Sequence, residues 1–325
     1  ILRCLVGSEM CIRDRLTTLE AGAQAALLAP TEILARQHYQ GLSKLLKPLG
    51  LAPILLSGST KQKTRQDILQ GLADGSCQIA IGTHALLTDE VVFADLALAV
   101  VDEQHRFGVR QRLVLGQKGK NCDLLVMTAT PIPRTLAMTA YGDLTVSRLD
   151  EKPAGRQDIE TALISQDRLA DVTARLAAAI SNGQRAYWIC PLVEETDKLD
   201  AAAAEDRHRA LTAVLPDANP VLAHGRMKTE QREEAMSAFK DGTSKLLVAT
   251  TVIEVGVDVP EASIIIIEHA ERFGLAQLHQ LRGRVGRGAK QSSCILMYQP
   301  PLSDTARSRL KIMRQTNDGF LIAEE

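Results

Sequence analysis

The sequence is poor in aromatic residues and carries almost no net charge. Aromatic side chains make up 3% of the 325 residues, and the formal net charge is −1. Few aromatics leave few platforms on which nucleic-acid bases can stack, and a net charge near zero gives no overall attraction to nucleic acid or to a membrane surface. Any binding of nucleic acid must therefore rest on local groups that contact the sugar-phosphate backbone.

The chain also lacks cysteine pairs and long apolar runs. Its six cysteines are scattered without C-x-x-C spacing, which argues against a zinc site and against a disulfide framework. No apolar run reaches the roughly 18 residues that a membrane helix needs, and no signal peptide is visible. We therefore expect a cytoplasmic protein with no membrane partner.

What the sequence does contain is a regular alternation of short apolar runs and helical segments, which predicts α/β domains with mostly parallel sheets. A polar, turn-rich stretch at 147–160 divides this pattern, so we predict a first domain at 16–146, a linker at 147–160 and a second domain at 161–325. Residues 1–15 show no clean period and are assigned to no domain. The predicted strands are Ala25–Ala29, Pro53–Leu56, Ile79–Ile81, Leu96–Val101, Leu124–Met127, Ala186–Cys190, Val221–Ala223, Lys245–Ala249, Ser263–Ile267 and Cys294–Tyr298.

One predicted strand, Leu96–Val101, is followed directly by two carboxylates, Asp102 and Glu103. In open α/β sheets, ligands bind beyond the carboxyl ends of the strands. Asp102 could hold Mg²⁺, which prefers carboxylate, water and phosphate oxygens, and Glu103 could orient or deprotonate an attacking water. The ordinary alternative is an acidic strand end in solvent that caps the next helix.

A second constellation is rich in arginine. Arg284 and Arg287 are three residues apart, so on a helix they would share a face, with Gln280 one turn before Arg284. Two arginines on one face suit a phosphate chain, and an arginine at a breaking phosphate bond accelerates phosphoryl transfer by about 10³–10⁵. The alternative is a flexible RGG-like tail, but the leucines and valine between the arginines favour a packed helix.

Seven segments, in order, resemble motifs of superfamily 2 helicases, and most closely those of RecG-like DNA branch-migration helicases. The resemblance covers Leu16 to Glu325. The matching segments are Ala29 to Glu32 (motif Ia), Gly82 to His84 (Ib), Asp102 to His105 (II), Thr128 to Thr130 (III), Ala223 to Met227 (IVa), Ala249 to Asp258 (V) and Gln280 to Arg287 (VI).

The resemblance implies two RecA-like domains that bind ATP and Mg²⁺ between them, and a role for each motif. Asp102, Glu103, Gln280, Arg284 and Arg287 would act in catalysis, and Gly256 and Asp258 would approach the nucleotide. His105 and Thr128, Ala129 and Thr130 would couple nucleotide state to DNA. The residues that would contact the DNA backbone are Pro30, Thr31, Gly82, Thr83, His84, His224, Gly225, Arg226, Thr250 and Thr251.

Each of these residues also has an ordinary reading. The hydroxyls can be helix caps or turn residues, His105 a core or capping histidine, and Asp258 a turn residue before Pro260. The implied partner is branched DNA, bound independently of sequence in the bacterial nucleoid, while protein partners are not indicated. The function alternatives are a transcription-repair coupling translocase and a catalytically dead nucleic-acid-binding module. The string Asp102-Glu103-Gln104-His105 favours the RecG-like reading over the first of these.

One part that the resemblance requires is missing. No G-x-x-x-x-G-K-[ST] string occurs, although its amides and lysine would cradle the phosphates. Its lysine should fall near Gly7, but Glu9 and Met10 stand where glycine and lysine would be needed. We therefore expect residues 1–15 to be foreign sequence and the first sheet to lack its P-loop strand. We also expect both ends of the chain to be truncated. As a consequence of the missing P-loop, we expect this chain to have no ATPase activity.

Overall fold

The computed structural model describes residues 16–104, 107–128, 145, 147, 157–191, 197–250, 259–288 and 291–324. The described residues fall into two compact units. The first comprises residues 16–104, 107–128 and 147, and the second comprises residues 145, 157–191, 197–250, 259–288 and 291–324. Each unit is an α/β structure built on its own parallel sheet, and each is described separately below.

The first unit contains a five-stranded sheet in the order β2-β3-β1-β4-β5, and every neighbouring pair is parallel. Parallel strands need crossover connections, and helices supply most of them here. The strands are β1 Gln24–Leu28, β2 Ile54–Leu56, β3 Ile79–Gly82, β4 Leu96–Val101 and β5 Asp123–Val126. The helices are α1 Glu32–Leu46, α2 Gln62–Ala73 and α3 Val109–Gln117.

The two faces of this sheet bury separate apolar clusters, which explains why its strands are apolar on both sides. Along β1, Ala26 and Leu28 face one cluster, whereas Ala25 and Leu27 face the other. This alternation follows from the two-residue period of a strand. Gly82, at the end of β3, is fixed by close packing, because a Cβ built there would lie 2.1 Å from the carbonyl oxygen of Leu56.

The second unit contains a six-stranded sheet in the order β6-β11-β10-β7-β9-β8, again with parallel pairs throughout. Its strands are β6 Ile159–Ser165, β7 Arg185–Ile189, β8 Val221–Ala223, β9 Leu246–Ala249, β10 Ala262–Ile267 and β11 Ser292–Tyr298. Its helices are α4 Leu169–Ser181, α5 Asp197–Val214, α6 Thr229–Asp241, α7 Leu275–Arg282, α8 Asp304–Gln315 and α9 Gly319–Glu324.

The prediction of α/β units with parallel sheets is confirmed, and each of the ten predicted strands is present within two residues of its expected ends. Strand β6 was not predicted. It begins at Ile159, at the end of the stretch expected to be a linker, and it pairs with β11 at the edge of the sheet. No helix among the described residues is long and apolar enough to span a bilayer.

Candidate functional site

Within the first unit, predicted site residues of four motifs lie beyond the carboxyl ends of the strands, at the same edge of the sheet. Thr31, Thr83 and Asp102 follow the carboxyl ends of β1, β3 and β4, and these strands are neighbours. Backbone hydrogen bonds connect the strand ends beyond the sheet, since the amide of Asp102 donates to the carbonyl of Leu28 at 3.0 Å. Thr128 lies two residues beyond β5 at the same edge.

Asp102 is held at both carboxylate oxygens. Its Oδ1 accepts a hydrogen bond from the amide of Glu103 at 2.9 Å, and its Oδ2 lies 2.8 Å from Nε2 of His38 on α1. The side chain keeps 18% of its surface exposed. A partly exposed, oriented carboxylate of this kind can receive a hydrated cation or a polar ligand.

Glu103 adopts a backbone conformation that non-glycine residues rarely use. Its φ is +49°, in the left-handed region. Such a conformation costs on the order of 1 kcal/mol or more for a residue with a Cβ, and it persists only where the surroundings impose it. Here Asp102 accepts from the Glu103 amide on one side, and the next amide, of Gln104, donates to the carbonyl of Met127 at 3.0 Å on the other.

Thr31 caps a helix, which is the ordinary alternative to a DNA contact. It is the N-cap of α1, and its Oγ1 accepts from the amide of Leu34 at 3.4 Å. A capping hydroxyl can still meet a phosphate, because it and the first-turn amides form the positive end of the helix. The N-cap prediction is confirmed, while the DNA contact remains a prediction.

The neighbouring Glu32 fastens the loop after β2 to the start of α1. Its carboxylate accepts from the hydroxyls of Ser57 and Ser59 and from Arg36, which lies 2.8 Å away. Burial raises the pKa of Glu32, but hydrogen bonds from Ser59, Arg36 and Ser57 outweigh it and hold the pKa below its ordinary value. The carboxylate therefore stays ionised and keeps the loop in place.

The remaining predicted DNA contacts of this unit differ in exposure. Thr83 is buried and His84 is exposed, directly after β3. Pro30 is half-buried. The close contact with β2 explains why a glycine occupies position 82, so this glycine is not evidence for a ligand.

In the second unit, His224, Gly225 and Arg226 follow β8, and Thr250 follows the neighbouring β9. His224 is buried, its Nδ1 accepts from the amide of Arg226 at 3.3 Å, and its Nε2 lies 3.4 Å from Glu205. Gly225 and Arg226 are exposed, whereas Thr250 is 2% exposed. His224 thus shapes the turn, and Arg226 is the member of this group that a ligand can reach.

The prediction that Arg284 and Arg287 share a helix face was wrong. Helix α7 ends at Arg282 with Gly283 as its C-cap, and Gly286, with φ +77°, is in the left-handed region, so the segment from Arg284 to Arg287 is not helical. Two features favour glycine at position 286. One is its positive φ, and the other is the side chain of Ile159, which would lie 2.8 Å from a Cβ built there.

The two arginines consequently have different surroundings. Arg284 is 9% exposed, whereas Arg287 is exposed and its Nε donates to the carbonyl of Gly283 at 3.1 Å. Gln280 lies in the last turn of α7 and is half-buried. These residues still belong to one short segment, but Arg287 alone presents an accessible guanidinium.

Sequence reasoning passed over Arg282, the most buried charged residue of this segment. It is 2% exposed, and its Nη1 donates to the carbonyls of Met313 and Thr316, each at 2.8 Å. Burial lowers its pKa below the ordinary value. The four-residue spacing from Leu278, which faces the core, was the available signal, because such residues share a helix face.

Arg282→Ala is expected to destabilise the second unit by about 3 kcal/mol, because it removes the donor to two carbonyls at the end of α8, one of them in a buried contact, and opens a cavity. The measurement is urea unfolding followed by fluorescence of Trp188, the single tryptophan, which is buried in this unit. The exposed Arg314→Ala on α8 is the control and is expected to change the stability by less than about 0.5 kcal/mol. Equal effects of the two changes would contradict the structural role of Arg282.

A second buried charge that the sequence did not signal lies at the end of β10. Glu268 is 5% exposed and receives hydrogen bonds from Trp188 Nε1 and from Arg207, whose Nη2 lies 3.0 Å from Oε2. The guanidinium also sits 5.9 Å from the Trp188 ring centroid. This cluster anchors the residues that lead from β10 into α7.

Several predicted site residues lie outside the described residues. They are His105, Ala129, Thr130, Thr251, Gly256 and Asp258, together with residues 1–15 and most of the stretch 147–160. Their predicted roles therefore stay predictions.

Comparison with known proteins gives the same two-part division. Residues 8–139 match the family model of the DEAD/DEAH box helicase, and residues 168–289 match that of the helicase conserved C-terminal domain. The ATP-dependent DNA helicase RecG of Haemophilus influenzae is 52% identical over 315 residues, covering 95% of this chain and 46% of the relative. RecG of Escherichia coli strain K12 is 51% identical over 328 residues, covering 98% and 47%. The chain thus spans about half the length of these curated relatives.

Solved helicase structures are also similar to this chain. A structure of RecG bound to a three-way DNA junction matches with a TM-score of 0.75 and 40% identity, covering 93% of this chain and 39% of the other. The DUF1998 helicase MrfA, bound to DNA and AMPPNP, matches with a TM-score of 0.70 but 17% identity, covering 96% and 47%, a likeness in fold alone. The chain is therefore similar to RecG over most of its own length, and it matches the model of the DEAD/DEAH box helicase followed by that of the helicase conserved C-terminal domain.

Proposed function

We propose that this chain is the motor core of an ATP-dependent DNA helicase that remodels branched DNA, such as forks and four-way junctions, in recombination and repair. The observation that carries the proposal is the pair Asp102 and Glu103 at the carboxyl end of β4, with Asp102 oriented at both oxygens and Glu103 in a left-handed conformation. The similarity to RecG over 95% of the chain supports the same function.

The chemistry proposed for this pair is hydrolysis of the γ-phosphate of ATP. Glu103 accepts a proton from the attacking water and so raises its nucleophilicity. Asp102 would hold Mg²⁺, and bound Mg²⁺ would neutralise charge on the phosphates. The residues fit that ion, because Mg²⁺ needs only one or two carboxylates and completes its shell with water and phosphate oxygens.

The second unit is proposed to supply the remaining catalytic groups to the bound nucleotide. Arg284 and Arg287 would stabilise negative charge on the transferred phosphoryl group, and Gln280 would contact the phosphates. Gly256 and Asp258 would approach the nucleotide, and His105, Thr128, Ala129 and Thr130 would link its state to DNA. For Arg287, the exposed guanidinium supports this role.

The second candidate function is a nucleic-acid-binding module without catalysis. The observation that favours it is the absence of a G-x-x-x-x-G-K-[ST] string anywhere in the sequence. Without amides and a lysine around the phosphates, nothing aligns the γ-phosphate with Glu103. We therefore propose that the chain as printed binds DNA but does not turn over ATP, and the two candidates are separated by the ATPase measurements in the Discussion.

DNA is proposed to be held through its backbone by Thr31 and Thr83 with their neighbours on the first domain, and by Arg226 with its neighbours on the second. Arg226→Ala is expected to weaken binding of forked DNA by a similar factor for all sequences and to reduce the salt slope by about 1, because one phosphate contact is lost. The measurement is fluorescence anisotropy of labelled forks at several salt concentrations.

The matched control is Arg209→Ala. Arg209 is 77% exposed in the same unit, lies on α5 and pairs with Asp206 at 3.0 Å. It is expected to leave both the affinity and the salt slope unchanged. Weakening by Arg226→Ala that depends on the base sequence of the fork would contradict contact through the backbone.

A further inference from the structure

Helix α1 and the catalytic edge of the first sheet are joined by one side-chain contact. His38 lies on α1, and its Nε2 is 2.8 Å from Oδ2 of Asp102, although the two residues are 64 positions apart in sequence. We propose that His38 is a positioning residue that orients the Asp102 carboxylate and couples it to the DNA-contacting start of α1. The proposal rests on the proposed function, which assigns DNA to Thr31 and nucleotide to Asp102.

The contact restricts rotation of the Asp102 carboxylate. Oδ1 of Asp102 accepts from the amide of Glu103, and Oδ2 faces His38, so rotation of the carboxylate breaks both interactions. The histidine and aspartate side chains are 29% and 18% exposed, which places the bond where solvent competes only in part. A hydrogen bond to a charged group in such surroundings contributes more than one on the open surface.

The rest of α1 gives the contact a rigid support. The helix has 15 residues, and Ala35, Leu42 and Leu46 bury one face of it against the sheet. Thr31 caps its first turn, and His38 lies seven residues later, about 10 Å along the axis at 1.5 Å per residue. A displacement of the N-terminal turn by bound DNA therefore moves the imidazole, and with it the preferred direction of Asp102.

This connection is distinct from the Thr128–Thr130 segment that the family resemblance assigns to coupling. It runs through a packed helix and one hydrogen bond, both present in the described residues. A purely structural contact would lower the stability of the first unit when removed and would leave DNA affinity alone. A coupling contact makes the effect of His38 on DNA binding depend on Asp102, because the contributions of two residues in contact are not additive.

The experiment is a double-mutant cycle in the chain as printed, with forked DNA followed by fluorescence anisotropy and unfolding temperature measured for every variant. His38→Ala is expected to weaken fork binding about threefold in the wild-type background and to have no effect in the Asp102→Ala background. His38→Gln, whose amide nitrogen can replace Nε2, is expected to restore wild-type affinity. Gln40→Ala, at an exposed position of the same helix, is the control and is expected to change nothing.

The outcomes distinguish failure of the coupling from failure of the proposed function. If the wild-type chain binds forked DNA but His38→Ala lowers the affinity by the same factor with and without Asp102, the coupling is wrong and the proposed function stands. The same conclusion follows if His38→Ala does not change the affinity. A lower unfolding temperature with unchanged affinity assigns His38 a structural role only and also overturns the proposal. If the wild-type chain does not bind forked DNA, the proposed function fails, and the coupling fails with it.

Discussion

Replacing residues 1–15 with a strand, a G-x-x-x-x-G-K-T loop and a helix start is expected to convert the chain from one without ATP turnover to an ATPase. We expect turnover to rise from undetectable to on the order of 1 s⁻¹ with saturating forked DNA. The physical reason is alignment, because the loop amides and the lysine hold the phosphates at the strand edge where Asp102 and Glu103 already stand. The measurement is steady-state phosphate release from both chains.

The control for this prediction is a version in which the introduced lysine is alanine. It keeps the added strand and loop but lacks the charge that binds the phosphates, and it is expected to be as inactive as the printed chain. Turnover by the printed chain that disappears on Glu103→Gln would contradict the prediction, since residues 1–15 would then already hold the phosphates.

Arg287→Ala in the P-loop-bearing version is expected to lower turnover by about 10³-fold or more, the effect of removing an arginine that stabilises a transferring phosphoryl group. Arg287 is the better test of the two arginines, because it is exposed and its loss leaves no buried cavity, whereas Arg284 is 9% exposed. The measurement is single-turnover hydrolysis with forked DNA in excess, which separates chemistry from product release.

Arg314→Ala is the matched control, since Arg314 is exposed on α8 of the same unit. It is expected to keep the wild-type single-turnover rate, and both variants are expected to keep the wild-type unfolding midpoint. A similar rate for Arg287→Ala and Arg314→Ala would remove Arg287 from the catalytic site.

The sheets were predictable because their strands are short, apolar and separated by helical segments. The runs Ile264–Ile267 and Leu96–Val101 carry that signal plainly, and their positions in the sequence agree with β10 and β4. Strand β6 escaped prediction because it lies at the sheet edge, where Glu160 and Thr161 interrupt the apolar pattern, and because a polar stretch precedes it. A long edge strand with mixed polarity has no local signature that separates it from a linker.

The site was predictable only as far as sequence neighbours define it. Asp102 and Glu103 were recognisable because they follow a buried strand directly. The spacing of Arg284 and Arg287 led to a wrong prediction, because a three-residue interval implies a shared face only within a helix, and α7 ends at Arg282 before both arginines. The contact between His38 and Asp102 could not be predicted from the sequence, because it depends on how α1 packs on the sheet. The anchoring roles of Arg282 and Glu268 likewise depend on partners distant in sequence.

Glu103 is proposed to act on ATP at the end of β4, in a motor that depends on DNA. The measurement that tests it most directly is ATP turnover by the P-loop-bearing version with and without forked DNA, for Glu103 and for Glu103→Gln. We expect forked DNA to stimulate turnover, and Glu103→Gln to lower turnover by at least about 10³-fold. Affinity for a fluorescent ATP analogue should stay unchanged, because the size and shape of the side chain are kept and only the base is removed. Turnover that survives Glu103→Gln would contradict this proposal.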